Sequence, residues 1–198
     1  MRPLRAAIIL AAGASERMGR PKALLAWHAT TLLEYVIAQA RAAGTAAATT
    51  IVVLGPATRD LTDTLVQRGV TVTFNPEPAT GRSESIRLGS AALPEDVASI
   101  VVQSVDQPCP ADVLVALFEA VEAGSSVAVP TAGGRRGHPI ALSGQLLSDL
   151  RAVTEETHGL RAITRRHASR EVPVASAAIH WNLNDPAAYA AALATQEQ

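Results

Sequence analysis

The chain has 198 residues, of which 48% are hydrophobic and 18% are charged, and its formal net charge is −1. These values are typical of one globular domain with a sizeable core, and they exclude a disordered chain. The small net charge argues against a broad nucleic-acid interface, which requires a strong basic excess. The single cysteine, Cys109, excludes an internal disulfide and a cysteine-based zinc site, in keeping with a reducing cytoplasm.

The first apolar run, residues 6–9, predicts a buried strand. With basic residues before it and small residues after it, the run also resembles a signal peptide. The apolar stretch is short for a signal peptide, however, and charged residues with motif-like spacing follow it, which favours a strand leading into a functional loop. No other stretch approaches the roughly 20 apolar residues of a membrane span, so we expect a cytoplasmic protein that does not insert into a membrane.

Predicted strands and helices then alternate along the chain. Helical periodicity covers residues 31–43, with Gly44 as the stop, and a strand at 51–54 precedes a helix through Leu61 and Leu65. Further predicted strands lie at residues 70–74, 99–102, 126–129 and 138–142 and around Val172 and Ile179, and further predicted helices follow Gly81, start at Pro110, span residues 158–167 and follow Pro186. This alternation predicts an α/β fold in which helices cover both faces of a mainly parallel sheet. Because no repeat or composition break marks a linker, residues 1–198 are expected to form one domain.

The loop after the first strand has the composition of a nucleotide-binding loop. Residues 10–25 read LAAGASERMGRPKALL and carry Arg17, Gly19 and Lys22. Small residues let backbone N–H groups approach phosphate oxygens, and the two cations neutralise phosphate charge. The loop therefore predicts a nucleoside triphosphate site. It is not a P-loop, because the pattern GxxxxGK[ST] does not occur.

Asp106 is the second chemical feature, at the end of the run SIVVQSVDQP. Ligands of a parallel sheet bind beyond the carboxyl ends of its strands, and Asp106 directly follows a predicted strand. A carboxylate there suits Mg²⁺, which takes one or two protein oxygens and completes its shell with water and phosphate. Alternatively, Asp106 is an acid stabilised by the dipole of the helix that starts at Pro110. The loop at residues 10–25 favours the metal interpretation.

Together these segments resemble the MobA-like nucleotidyltransferases, which include the molybdenum cofactor cytidylyl- and guanylyltransferases. The opening loop resembles the family signature, SVDQP its metal aspartate, GRRGHP its Gly-His-Pro loop and NLNDPAAY its closing element. The resemblance implies a Rossmann-like three-layer sandwich of the nucleotide-diphospho-sugar transferase type, with a mainly parallel, mixed sheet. It also implies Mg²⁺-dependent transfer of a nucleoside monophosphate to a phosphorylated acceptor such as molybdopterin, with release of pyrophosphate.

The resemblance also assigns roles on the donor side. Lys22 and Arg17 would bind the triphosphate, and with Asp106 they are the expected catalytic residues. Asp106 and Asn184 would hold Mg²⁺. Ser83 and Ser85 would read the base edge, although both are also ordinary residues for a helix cap and a helix surface. The expected nucleotide-binding residues are Leu10, Ala11, Ala12, Gly13, Ser15, Arg17, Lys22, Ser83 and Ser85.

On the acceptor side, the resemblance implies His138 and Arg161. His138 lies in the Gly-His-Pro loop, where a functional role is favoured over core packing. Arg161 would reach an anionic acceptor, although with Arg165 and Arg166 it also fits a solvated helix face.

Several departures from the family pattern bear on the substrates. Asn184 replaces the aspartate of many cytidylyl relatives, the closing element reads Asn-Asp-Pro instead of Asp-Thr-Pro, and Thr157 stands where relatives carry an acid. Ala12 replaces the second glycine of LAGG, which favours a pyrimidine nucleotide, so CTP is the expected donor.

Two other classes of protein stay open at this point. One is an NAD(P)H-dependent oxidoreductase on the same fold, against which the lack of GxGxxG after the first strand weighs. The other is a non-catalytic module that binds nucleotide or pterin and serves as a maturation partner of a molybdenum enzyme.

Overall fold

A computed structural model describes residues 3–15 and 18–196, so the predicted triphosphate ligand Arg17 lies outside the described residues. The strands are β1 (Arg5–Ala11), β2 (Ala26–Trp27), β3 (Thr30–Thr31), β4 (Thr50–Leu54), β5 (Thr71–Phe74), β6 (Ser99–Ser104), β7 (Val127–Ala132), β8 (Arg135–Arg136), β9 (Ile140–Ser143) and β10 (Ser169–Pro173). The helices are α1 (Leu32–Ala42), α2 (Thr62–Gln67), α3 (Arg82–Ala91), α4 (Ala111–Glu122), α5 (Leu147–Arg151), α6 (Leu160–Arg166) and α7 (Pro186–Gln196). None of the described helices is long and apolar enough to cross a lipid bilayer.

The main sheet has eight strands in the order β10-β7-β9-β6-β1-β4-β5, with β8 paired to β7. Strands β6, β1, β4 and β5 pair in parallel, as do β7 and β10, whereas β9 runs antiparallel between β6 and β7. Strands β2 and β3 form a separate hairpin. The expected mixed, mainly parallel α/β sheet is therefore confirmed. Its parallel strands bring the loops after β1, β4, β5 and β6 to one carboxyl edge.

Helices cover both faces of this sheet, because successive residues of each central strand point to opposite faces. On one face, Ile9 belongs to a buried cluster with Leu33 of α1 and Leu117 of α4. On the other face, Ile8 belongs to a second buried cluster with Ile86 of α3. Strand β1 is thus buried on both sides and forms the middle layer of a three-layer sandwich, with its polar loop emerging at the carboxyl edge.

The structure differs from the sequence-based elements in one informative place. Ile179 was expected in a short strand but lies in the 3₁₀ helix Ala177–His180. This segment does not extend the sheet; it crosses the carboxyl edge, where the Ile179 carbonyl accepts a hydrogen bond from the backbone N–H of His138 at 2.8 Å. Sequence periodicity also missed β2, β3, β8 and α5, which are too short to show a pattern.

Candidate active site

The loop after β1 folds back on itself beside the sheet edge. Ser15 has a positive φ of 57°, a conformation that most residues avoid, and its Oγ accepts a hydrogen bond from the backbone N–H of Lys22 at 3.0 Å. This contact fixes the position at which Lys22 leaves the loop. A small pocket of about 100 Å³ opens there, lined by Leu10, Ala11, Gly13, Ser15, Lys22, Ala23, Ser104, Val105 and Asp106. Most of the predicted donor residues therefore surround one pocket.

Three of the predicted residues meet at this pocket through their side chains. The ammonium group of Lys22 donates to Asp106 Oδ2 at 2.6 Å and to Asn184 Oδ1 at 2.6 Å. Asp106 lies in the turn after β6, and Asn184 lies just before α7. Lys22 is also the only lysine in the sequence, whose other side chains with a permanent positive charge are all arginines. The three side chains form a closed network of one ammonium, one carboxylate and one amide.

The position of Asn184 depends on residues 179–184, which we call the C-terminal strap. The backbone N–H of Leu183 donates to the Asp106 carbonyl at 2.9 Å, and Ile179 accepts from His138 as described above. Leu183 and Ile179 are 1% and 0% exposed, so apolar burial anchors the strap between its polar contacts. The strap joins the metal-site candidates to the Gly-His-Pro loop, a connection that sequence reasoning missed.

An aromatic cluster anchors the same strap to the segment after Lys22. Four of the six Trp, Tyr and Phe residues of the chain gather here. The ring centroid of the fully buried Trp27 lies 5.8 Å from that of Trp181 and 6.2 Å from that of Tyr189. The Tyr189 hydroxyl donates to the Ala26 carbonyl. Aromatic packing therefore fixes Lys22 and Asn184 relative to each other.

The electrostatics keep Asp106 ionised. Burial alone would raise the pKa of Asp106, but hydrogen bonds from Lys22 and Ser104 and the charges of Lys22 and Arg82 bring the pKa below its ordinary value. Asp106 is therefore a carboxylate at neutral pH, the state that a cation ligand requires.

The oxygens of Asp106 and Asn184 also fit a divalent cation such as Mg²⁺. Both lie within hydrogen-bonding distance of the Lys22 ammonium, so they already converge on one positive charge. Hard oxygen donors of this kind are the ligands of Mg²⁺. Within residues 3–15 and 18–196, no cluster of three or more Asp, Glu, His or Cys side chains forms a self-contained metal site. A cation here would complete its shell with water and phosphate oxygens.

A larger cleft of about 470 Å³ is lined by Gln107, the residue that follows Asp106 of the small pocket. Both predicted acceptor residues, His138 and Arg161, line this cleft. Ser83, predicted to read the base of the donor, lines this cleft as well and not the small pocket. The remaining lining residues are Arg82, Ile86, Val102, Ile140, Glu155, His158, Gly159, Leu160 and Thr164.

The N-terminus of α3 is capped by Glu155, a residue that the sequence analysis did not identify. Glu155 Oε1 accepts a hydrogen bond from the backbone N–H of Ser83 at 2.7 Å. Any side chain at Gly81, whose φ is 127°, would overlap the Glu155 carboxylate. Ser85 is 5% exposed, and its hydroxyl accepts from Asn75 Nδ2 at 2.9 Å. The two predicted base-reading serines are thus held by neighbouring residues.

His138 is neutral at physiological pH. Partial burial of the ring and the charge of Arg82 lower its pKa, and the opposing effect of Asp106 is smaller. A neutral imidazole can accept or donate a hydrogen bond within the cleft.

Comparisons with known proteins agree with this geometry. Residues 7–172 match the family model of the MobA-like NTP transferase domain. The structure of Rv0371c from Mycobacterium tuberculosis H37Rv is 26% identical, with a TM-score of 0.81 over 98% of this chain and 99% of that chain. A manganese complex of Rv0371c is 24% identical, with a TM-score of 0.78 over 97% and 99% of the two chains.

A more distant structure has the same fold. Molybdopterin-guanine dinucleotide biosynthesis protein A from Archaeoglobus fulgidus is 18% identical, with a TM-score of 0.70 over 98% of this chain and 99% of that chain. No curated protein sequence matches the chain. The family match confirms the resemblance given by the motifs. The chain belongs to the MobA-like NTP transferase family and is a nucleotidyltransferase.

Proposed function

We propose that this nucleotidyltransferase moves a nucleoside monophosphate, preferably CMP, from its triphosphate to a phosphorylated acceptor such as molybdopterin, with release of pyrophosphate. The observation that carries the proposal is the convergence of Lys22, Asp106 and Asn184 beside the loop after β1. An ammonium and two hard oxygens at one point suit a triphosphate and its divalent cation.

The triphosphate would bind in the pocket between Lys22 and the loop after β1. Gly13 and Ser15 offer backbone N–H groups to phosphate oxygens, and Lys22 would exchange its contact with Asp106 for one with the triphosphate. Arg17 is proposed as a second phosphate cation. Leu10, Ala11 and Ala12 would contact the ribose and base.

The base edge is assigned to the start of α3. Ser83 and Ser85 are proposed to face it, and the Ser85 hydroxyl, which already accepts from Asn75, would act there as a donor. Ala12 in the opening loop supports CTP as the donor nucleotide.

Asp106 and Asn184 are the proposed ligands of Mg²⁺. When bound, the cation would stabilise negative charge on the phosphoryl oxygens. Asp106 supplies the charged ligand, because its lowered pKa keeps the carboxylate ionised. The manganese complex of Rv0371c supports a divalent cation as the cofactor.

The protein contributes to the reaction mainly by aligning the two substrates, and it need not form a covalent intermediate. An acceptor phosphate oxygen forms a bond to the α-phosphorus, the bond from that phosphorus to the β-bridging oxygen breaks, and pyrophosphate leaves with the electron pair. Lys22 would neutralise the charge that develops on the leaving group. His138 and Arg161 would hold the acceptor in the adjoining cleft. We further propose that the reaction takes place in the cytoplasm and that the product is passed to a molybdenum enzyme.

The test measures pyrophosphate release with Mg²⁺, molybdopterin and each of the four ribonucleoside triphosphates in turn. CTP should give the highest kcat/KM. Asp106→Ala should lower the rate by about 10²–10³, by analogy with loss of one preorganised electrostatic group. The proposal fails if no triphosphate binds or turns over, or if Asp106→Ala leaves nucleotide binding and turnover unchanged.

A further inference from the structure

We infer that Arg82 binds the acceptor's phosphate at the junction between the small pocket and the cleft and guides its oxygen to the α-phosphorus. This inference rests on the proposed function and deepens its acceptor half. Arg82 directly precedes Ser83, but the family resemblance assigned no role to Arg82 itself.

The position of Arg82 suits this role. Arg82 is an exposed first residue of α3 and lines the cleft with His138 and Arg161. Gln107, which directly follows the metal-site candidate Asp106, lines the same cleft. Arg82 therefore shares the cleft with the predicted acceptor residues and with the residue that follows Asp106.

A cation at this point of the helix is locally unfavourable. The N-terminus of the ten-residue helix α3 carries the positive end of the helix dipole, which disfavours a positive side chain. In the described part of the chain, neither Arg82 nor Arg161 forms an ion pair, whereas Arg5, Arg87 and Arg151 each do. A charged residue that breaks a local rule and forms no ion pair is expected mainly at functional sites.

The cleft offers little negative charge of its own. Glu155 is the only carboxylate among its lining residues, and it accepts a hydrogen bond from the Ser83 backbone at the end of α3. The charge of Arg82 lowers the pKa values of His138 and Glu155, which both line the cleft. Its positive potential therefore acts inside the cleft.

The chemistry of the transfer requires a cation here. The acceptor phosphate and the triphosphate are both anions, so their approach is opposed by charge repulsion. In the proposed function, Lys22 binds the triphosphate on the donor side and is not available to the acceptor phosphate. The planar guanidinium of Arg82 can hold two oxygens of a phosphate monoester at once, which leaves the third oxygen to attack.

The first experiment uses inorganic phosphate as the probe and needs no nucleotide. Binding to the full chain is followed by ³¹P NMR titration at low ionic strength for the wild type, Arg82→Gln, Arg82→Lys and Arg87→Gln. Arg87 is the matched control, because it lies on the same helix and pairs with Glu84 outside the cleft. We expect Arg82→Gln to weaken phosphate binding at least about tenfold, Arg82→Lys to recover part of the loss and Arg87→Gln to resemble the wild type.

The second experiment separates the two substrates kinetically. With CTP and molybdopterin, Arg82→Gln should raise the acceptor KM at least about tenfold and change the CTP KM less than about twofold. Thermal melts show whether each variant folds.

The inference is overturned if the wild type does not bind phosphate, if Arg82→Gln and Arg87→Gln bind it equally, or if the two KM values rise together. Failure of the proposed function looks different, since no triphosphate would then bind to the wild type, while the phosphate titration would still compare the two arginine variants.

Discussion

The two halves of the candidate active site are built on opposite principles. In the small pocket, which we propose for the donor, Lys22 binds both Asp106 and Asn184. In the larger cleft, which we propose for the acceptor, Arg82 and Arg161 line an open space and form no ion pair with any described residue. The side chains of the donor pocket are thus held in place by contacts with each other, whereas the two arginines of the cleft remain available to bind an anion.

This difference follows from the structural elements that support each half. Lys22 and Asp106 follow central strands of the sheet, and Asn184 lies on a strap whose Trp181 packs against the buried ring of Trp27. One side of the cleft is lined by Glu155, His158 and Gly159, which belong to the connection between α5 and α6, and residues 154–158 of this connection are exposed. Rigid elements suit chemistry that is common to a family, whereas exposed connections suit a substrate that varies among its members.

The largest effect is expected when the ammonium group of Lys22 is removed from its network with Asp106 and Asn184. Lys22→Ala should lower kcat by about 10²–10³, because the triphosphate loses its ammonium partner. Lys22→Arg keeps the charge and is the matched control, expected to keep more activity. Steady-state pyrophosphate release measures both variants, and equal activity of Lys22→Ala and the wild type would place the chemistry elsewhere.

The single lysine also allows a direct test of occupancy. An amine-specific reagent can label only Lys22 and the N-terminal amine, which mass spectrometry distinguishes. CTP with Mg²⁺ should protect Lys22 and leave the N-terminus reactive.

A smaller effect is expected at the second oxygen of the donor network. Asn184→Ala should raise the Mg²⁺ concentration needed for half-maximal rate by roughly tenfold to a hundredfold, since metal sites lose affinity by about this factor when a supporting group is removed. Asn184→Asp retains an oxygen ligand and should stay close to the wild type. If all three proteins need the same Mg²⁺ concentration, Asn184 does not hold the metal.

Lys22 and Asp106 could be brought to one edge of the sheet from the sequence because each lies in a short motif beside a strand. Lys22 belongs to the opening loop and Asp106 to the end of β6, so strand prediction and the edge rule for parallel sheets were enough to place both. The α/β sheet was predicted for the same reason, since buried strands give clear apolar runs.

The parts that escaped prediction depend on contacts between distant residues. Glu155 meets Ser83 across 72 positions, and Trp27 meets Trp181 only because the C-terminal strap returns to the start of the chain. No local pattern encodes either contact. Arg82 did leave a signal, a cation at the start of a predicted helix, where the dipole disfavours it.

The smallest expected effect tests whether residues 154–159 are held against α3. Hydrogen bonds from the Ser83 backbone and side chain lower the pKa of Glu155 below its ordinary value of 4.5 and outweigh the opposing effect of burial. A carboxyl group whose pKa is lower in the folded state stabilises the fold above its unfolded pKa and loses this effect as the pH falls through the folded value. Glu155→Gln should therefore lower stability by about 0.5 kcal/mol at pH 7, the size expected for an exposed charge at a helix N-terminus.

Melting curves from pH 7 downward measure this difference, which should shrink as the pH falls below 4.5. Glu156→Gln is the matched control. The Glu156 carboxylate is also exposed and lies next to Glu155 in the chain, but it accepts no hydrogen bond from the described residues. A Glu155→Gln difference that equals the control, or that stays constant with pH, would mean that the carboxylate does not cap α3. The cleft would then have a third unpaired charge beside Arg82 and Arg161, and its contrast with the donor pocket would be larger still.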